Sequence, residues 1–265
     1  MPPTRPDRLL SRLDEIGAAL ARSGKALALI GLGSVGLELD RLDRYSDLDF
    51  FAIVENGQKR EFLDDLSWLG NIHPITYSFR NTPDGYKVLF ADGIFCEFAV
   101  FEEPELRQIP FAPGRMVWKK DGVADELRFP QRPQPSLEER SVEWSLGEAL
   151  TNLYAGLCRY RRGETLAAMR LIQSHAVDRL LELAERIDPA APSPRDPFAL
   201  ERRYERRHPR IAQILPSFAQ GYERSLESAR AILTFLDEHF DVNPALRRAI
   251  LDLCEDGNPA GEPTV

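Results

Sequence analysis

Asp47 and Asp49 stand one residue apart at the head of an apolar run, Phe50-Phe51-Ala52-Ile53-Val54. Side chains two apart on a strand share a face, so this spacing aims both carboxylates at one point. Two convergent hard oxygens suit a divalent cation such as Mg2+. A second apolar run, Ala26 to Ile30, leads into Gly33-Ser34. A Gly-Ser turn offers backbone N–H groups and a hydroxyl to phosphate oxygens. Together the residues describe a site for a metal-bound nucleoside triphosphate. A third carboxylate, Glu97, lies inside Gly93-Ile94-Phe95-Cys96-Glu97-Phe98-Ala99-Val100-Phe101. A charge amid such residues is costly unless a partner or ion satisfies it. Glu97 is therefore a candidate metal ligand or general base, with a solvent-facing sheet glutamate as the bland alternative.

The elements that must position these residues are legible in the periodicity. Leu9, Leu10, Leu13, Ile16, Ala19 and Leu20 predict a helix over 6–23, stopped at Ser23-Gly24. Strands are expected at 26–31 and 48–54, a helix at 58–68, then strands at 73–79, 87–91, 94–101 and 114–119. Pro83-Asp84-Gly85 and Asp92-Gly93 supply turns between them. The prolines at 130, 133 and 135 predict a stiff extended connector. Beyond it only helical patterns remain, at 137–162, 164–187, 197–207, 209–217, 220–240 and 244–255. All lysines fall before residue 121. The expected class is thus α+β, a mixed sheet with flanking helices over 1–128. A linker at 129–136 and an all-α helical bundle at 137–255 follow, with a disordered tail at 256–265.

Gly31-Leu32-Gly33-Ser34-Val35-Gly36 also matches GxGxxG after a strand, and Glu55 stands where the acid of a dinucleotide fingerprint would fall. The segment Leu37 to Ser46 argues against that fold. It is short and crowded with Asp40, Arg41, Asp43 and Arg44, where a crossover helix would be longer and more apolar.

Bulk properties narrow the partners. The 265 residues carry a net charge of -8, which disfavours nucleic acid as a partner. Arg202, Arg203, Arg206, Arg207 and Arg210 form one basic cluster, read as a solvated helical face or internal ion pairing. No apolar run is long enough to span a membrane. The charged N-terminus lacks a signal-peptide core, and the scattered Cys96, Cys158 and Cys254 suit a reducing cytoplasm. Asp40 and Asp43 read as exposed loop acids, His73 as structural, and Trp118 and Trp144 as domain-interface packing. His175, His208 and His239 show no ligand spacing.

Gly33-Ser34, Asp47-Leu48-Asp49 and Glu97 together resemble the polymerase-beta-like nucleotidyltransferase superfamily. Tyr45-Ser46-Asp47-Leu48-Asp49-Phe50, Cys96-Glu97-Phe98-Ala99-Val100-Phe101 and Arg162-Gly163-Glu164 with its following helix are similar to the larger, antibiotic-modifying lincosamide nucleotidyltransferases. Asp49 is an aspartate where some members carry glutamate. The resemblance implies transfer of a nucleoside monophosphate, usually from ATP, to a hydroxyl of a small molecule such as a lincosamide or aminoglycoside. It implies two Mg2+ ions held by Asp47, Asp49 and Glu97, with the triphosphate on Gly33 and Ser34. Arg162 and Arg170 are further candidates for phosphate contact. A homodimer is compatible with this reading. The rival expectations are a transferase acting on a protein or tRNA, and a silent nucleotide-binding module.

Overall fold

The computed structural model describes residues 3–132, 140–193, 195, 196 and 198–255. The chain divides into two compact units at Gln134 and Pro135. The first opens with α1 (Arg5–Ser23). Thr4 Oγ1 accepts from the Asp7 amide at 3.3 Å while Asp7 Oδ2 accepts from the Thr4 amide at 2.9 Å, a reciprocal N-terminal cap. Leu9, Leu13, Ile16 and Leu20 recur at helical spacing and are wholly buried. Each contributes about 1.5–3 kcal/mol by leaving water.

The sheet has six strands: β1 (Ala26–Leu32), β2 (Leu48–Val54), β3 (Ile75–Thr82), β4 (Gly85–Phe90), β5 (Phe95–Glu102) and β6 (Arg115–Lys119). Their order is β3-β4-β5-β2-β1-β6. Only β2 and β5 run parallel; every other pairing is antiparallel. The antiparallel β1–β2 pair excludes the dinucleotide-binding reading, which needs a parallel crossover at that point.

The strand alternation sorts residues onto two faces. Leu48, Phe50, Ala52, Cys96, Phe98 and Val100 join α1 in one core. Ile30, Ile53 and Phe101 pack on the other face with Leu106, Phe111 and Leu127. That second layer covers the far halves of β1, β2 and β5. It leaves the beginnings of β2 and β5, where the candidate acids stand, half-buried.

The expected helix over 58–68 is two pieces, α2 (Lys59–Asp64) and α3 (Ser67–Gly70). Asp65 breaks it: its carboxylate accepts from the Ser67 amide and hydroxyl, each at 2.8 Å, which competes with the helical ladder. A single turn, α4 (Glu103–Leu106), follows β5.

The second unit is helical: α5 (Val142–Arg161), α6 (Thr165–Arg170), a π-helical turn over Leu171–Ala176, and α7 (Val177–Ala184). Then come α8 (Tyr204–Arg207), α9 (Pro209–Phe218), α10 (Ser225–His239) and α11 (Pro244–Glu255). A Cβ on Gly156 would lie 2.6 Å from Ile172, so glycine permits the close approach of α5 to the segment after α6. The helix expected over 197–207 is reduced to the one turn of α8. Arg203, at φ 60°, takes the left-handed conformation ahead of that turn. Much of the connector (133–136), the start of the first expected helix (137–139) and the tail (256–265) lie outside the described residues.

Candidate functional site

Asp49 and Glu97 are direct register partners across the parallel β2–β5 pair. Residues paired this way point to the same side of the sheet. The third acid therefore stands beside the aspartate on one face. Asp47 lies one residue ahead of β2, after a turn in which Asp43 Oδ1 accepts from the Tyr45 amide at 2.8 Å. The spacer acid Asp43 is thus a turn former. Burial pushes the thiol pKa of Cys96 up; Arg12 opposes this, and the charges of Asp49 and Asp47 add to it.

Gly33 adopts φ 53°, in the left-handed region that disfavours side chains. A Cβ there would lie 3.3 Å from Asp49 Oδ2 and 3.5 Å from Arg41 Nη2. The Gly-Ser turn is therefore seated directly against the Asp49 carboxylate. Ser34 is buried, and the next carbonyl, that of Val35, accepts from Arg115 Nε at 3.1 Å. Arg41, paired with Glu38 at 2.7 Å, brings a cation to this turn. Its only signal in the sequence was membership of the charged spacer.

Glu97 is held from the opposite side. Lys87 Nζ lies 3.2 Å from its Oε2, and Asn81 Nδ2 donates to its Oε1 at 2.9 Å. Neither partner stands out in the sequence, since Lys87 comes from the adjacent β4 and Asn81 from β3 beyond it. Among the described residues no three His, Cys, Asp or Glu side chains form a metal-holding group. Mg2+ is commonly held by one or two carboxylates plus substrate phosphates, so Asp49 beside the Gly33 cradle, with Asp47 two residues ahead of it, suits such an ion.

Arg162 and Arg170 belong to the second unit and are exposed. Arg170 lines a cavity of about 500 Å³ with Gly163, Glu164, Leu166 and Tyr222. The first unit has a cavity of about 620 Å³ lined by Leu27, Glu55, Asn56, Glu103 and Arg107. It lies past the end of β2, away from the acids at its beginning. Trp144 is half-exposed between Arg140 and Arg179, while the backbone of Gly17 in α1 packs on Trp118.

No family model matches the chain, and no curated protein matches it. Solved structures do. An aminoglycoside 6-adenyltransferase from Bacillus subtilis is similar at 14% identity, covering 93% of this chain and 92% of that one, with a TM-score of 0.33. A nucleotidyltransferase-like protein from Exiguobacterium sibiricum shares 13% identity over 86% of this chain and 74% of that one, at a TM-score of 0.35. A Thermotoga maritima CCA-adding enzyme complexed with tRNA shares 11% identity over 92% of this chain and 69% of that one, at 0.36. Likeness at this level carries no activity across, so the functional reading stands on the site's own geometry.

Proposed function

We propose that the chain is a Mg2+-dependent nucleotidyltransferase that moves a nucleoside monophosphate, AMP from ATP, onto a hydroxyl of a small molecule. The observation that carries this is the pairing of Asp49 with Glu97 on one sheet face, with Gly33 seated against Asp49. Asp47 and Asp49 would hold Mg2+. When bound, the ion neutralises charge on the transferring phosphoryl group. The backbone around Gly33 and Ser34 would grip the triphosphate, with the Arg41 guanidinium nearby to offset its charge. Glu97, oriented by Lys87 and Asn81, would accept the proton of the acceptor hydroxyl. The hydroxyl oxygen forms a bond to the α-phosphorus as the bond to the pyrophosphate oxygen breaks, and pyrophosphate leaves. Positioning and charge neutralisation supply most of the rate. Arg162 and Arg170 are candidate nucleotide contacts in the same reading. A lincosamide or aminoglycoside is the acceptor class suggested by the sequence resemblance.

The test is pyrophosphate release from nucleoside triphosphates across an antibiotic panel, with and without Mg2+. Turnover that requires Mg2+ and disappears in Asp49→Asn supports the reading. Turnover retained in Asp49→Asn at the unaltered level refutes it.

A further inference from the structure

The sheet face continues past Glu97, away from Gly33, as an apolar floor that no core of the described residues claims. One row of register partners runs Leu32, Asp49, Glu97, Lys87, Phe79 across β1, β2, β5, β4 and β3. The adjacent row on the same face is Phe95, Leu89, Tyr77. Phe79 and Tyr77 are 53% and 54% exposed. Neither they nor Leu89 and Phe95 join any of the core clusters. Large apolar side chains grouped in the open mark a place where something binds.

Resting on the transferase reading above, we infer that this floor seats the acceptor. The acceptor's class follows too: a hydroxyl-bearing molecule of low charge with at least two linked rings. The side is set by the chemistry. In an in-line displacement the attacking oxygen enters opposite the leaving pyrophosphate. The phosphate-gripping turn lies on the β1 side of Asp49, so the hydroxyl arrives from the β5–β4–β3 side, over Glu97. The length is set by strand spacing. Neighbouring strands are about 4.8 Å apart, so Phe79 lies roughly 10 Å from Glu97 across β4. A molecule stacked on Phe79 reaches Glu97 only if it extends beyond a single ring. The charge is set by the pairing on the floor. Lys87 neutralises Glu97 at 3.2 Å, and Tyr77, Phe79, Leu89 and Phe95 carry none. A polyammonium acceptor finds no surplus carboxylate there, whereas the apolar face of a substituted sugar ring finds two aromatic rings.

Calorimetric titration of the full chain with lincomycin (one basic amine) and kanamycin (a polyamine) tests this, beside the double variant Tyr77→Thr/Phe79→Thr. Threonine keeps strand propensity on an exposed edge strand, and an unchanged Tm confirms folding. Lincomycin should bind more tightly than kanamycin, and the double variant should weaken it about tenfold or more. Mg2+-ATP affinity should not change. Three results would overturn the inference: unaltered lincomycin affinity in the variant, tighter binding of kanamycin, or a loss that falls on Mg2+-ATP instead. No Mg2+-ATP binding to the unaltered chain would sink the transferase reading and the acceptor role with it. Mg2+-ATP binding with no lincomycin binding would sink the floor alone.

Discussion

Two groups of charged residues, one in each unit, behave in opposite ways. In the first unit Asp49 and Glu97 share a sheet face, and they and Asp47, one residue ahead of β2, are only half-buried, where water and ligands reach them. In the second, Glu185 gathers Arg207 Nη1 at 2.6 Å, Arg195 Nη2 at 3.0 Å and His208 Nε2 at 3.6 Å. Arg207 is 2% exposed and His208 not at all. Tyr204 lies tilted against His208 with ring centroids 4.6 Å apart and donates its hydroxyl to the Leu181 carbonyl at 3.0 Å. Burial, then the charge of Glu185, pushes the Tyr204 hydroxyl pKa up. The lesson is that charge density alone does not mark a reactive site. An open cluster can exchange its partners for a ligand. A closed one has already spent its charges on each other, and its loss is felt as stability.

Substitutions that separate activity from stability break this contrast most sharply. Asp49→Asn should cut nucleotidyl transfer by about a hundredfold to a thousandfold with an unchanged Tm, read by pyrophosphate release and calorimetry. Arg207→Met should do the reverse. It removes the buried guanidinium from Glu185 and from the Leu200 carbonyl and leaves the carboxylate to Arg195 alone, so the helical unit should lose about 1–3 kcal/mol in denaturant unfolding, with Mg2+-ATP binding retained by the folded chain. Equal losses of stability from both variants would erase the distinction. Gly33→Ala places a methyl against Asp49 and Arg41 in a left-handed backbone. It should cost about 1–2 kcal/mol and weaken Mg2+-ATP binding measurably.

The smallest effect belongs to a third charge cluster, at the Asp92 turn. Burial alone would raise the Asp92 carboxyl pKa. The Arg8 hydrogen bond, the Ile94 amide and the charges of Arg12 and His73 outweigh it and hold the pKa below its ordinary 3.8. The stability this supplies is complete above the ordinary value and drains as pH falls through the lower folded one. Melting temperatures of the unaltered chain should therefore fall below about pH 4, and the fall should be shallower in Asp92→Asn.

The strand positions of the acids were readable because their neighbours alternate. Leu48-Asp49-Phe50 and Cys96-Glu97-Phe98 set a polar residue between two buried ones, a pattern that survives any choice of partner strand. The break at Asp65 was not readable, because Phe62, Leu66 and Trp68 keep helical spacing through a residue whose carboxylate caps Ser67. By sequence alone the arginine cluster reads as a solvated face or ion pairing. Arg207 makes the ion pair but from inside the core, since its partner Glu185 is distant in the chain.

Local periodicity by itself determined α1, β1 and β2, the turn at Gly33, and the alternation that puts Asp49 and Glu97 on one face of their strands. These follow from nearest-neighbour backbone geometry, which a single segment contains. Which strands lie side by side was decided only by tertiary structure. The parallel β2–β5 pairing brings Glu97 to Asp49, the β4–β5 pairing brings Lys87 to Glu97, and the β3–β4 pairing brings Asn81, Tyr77 and Phe79 to the same face. The Asp49–Glu97 contact joins residues 48 apart in the chain, and no single segment contains the packing of Leu48, Phe50, Cys96 and Phe98 in one core that fixes its register.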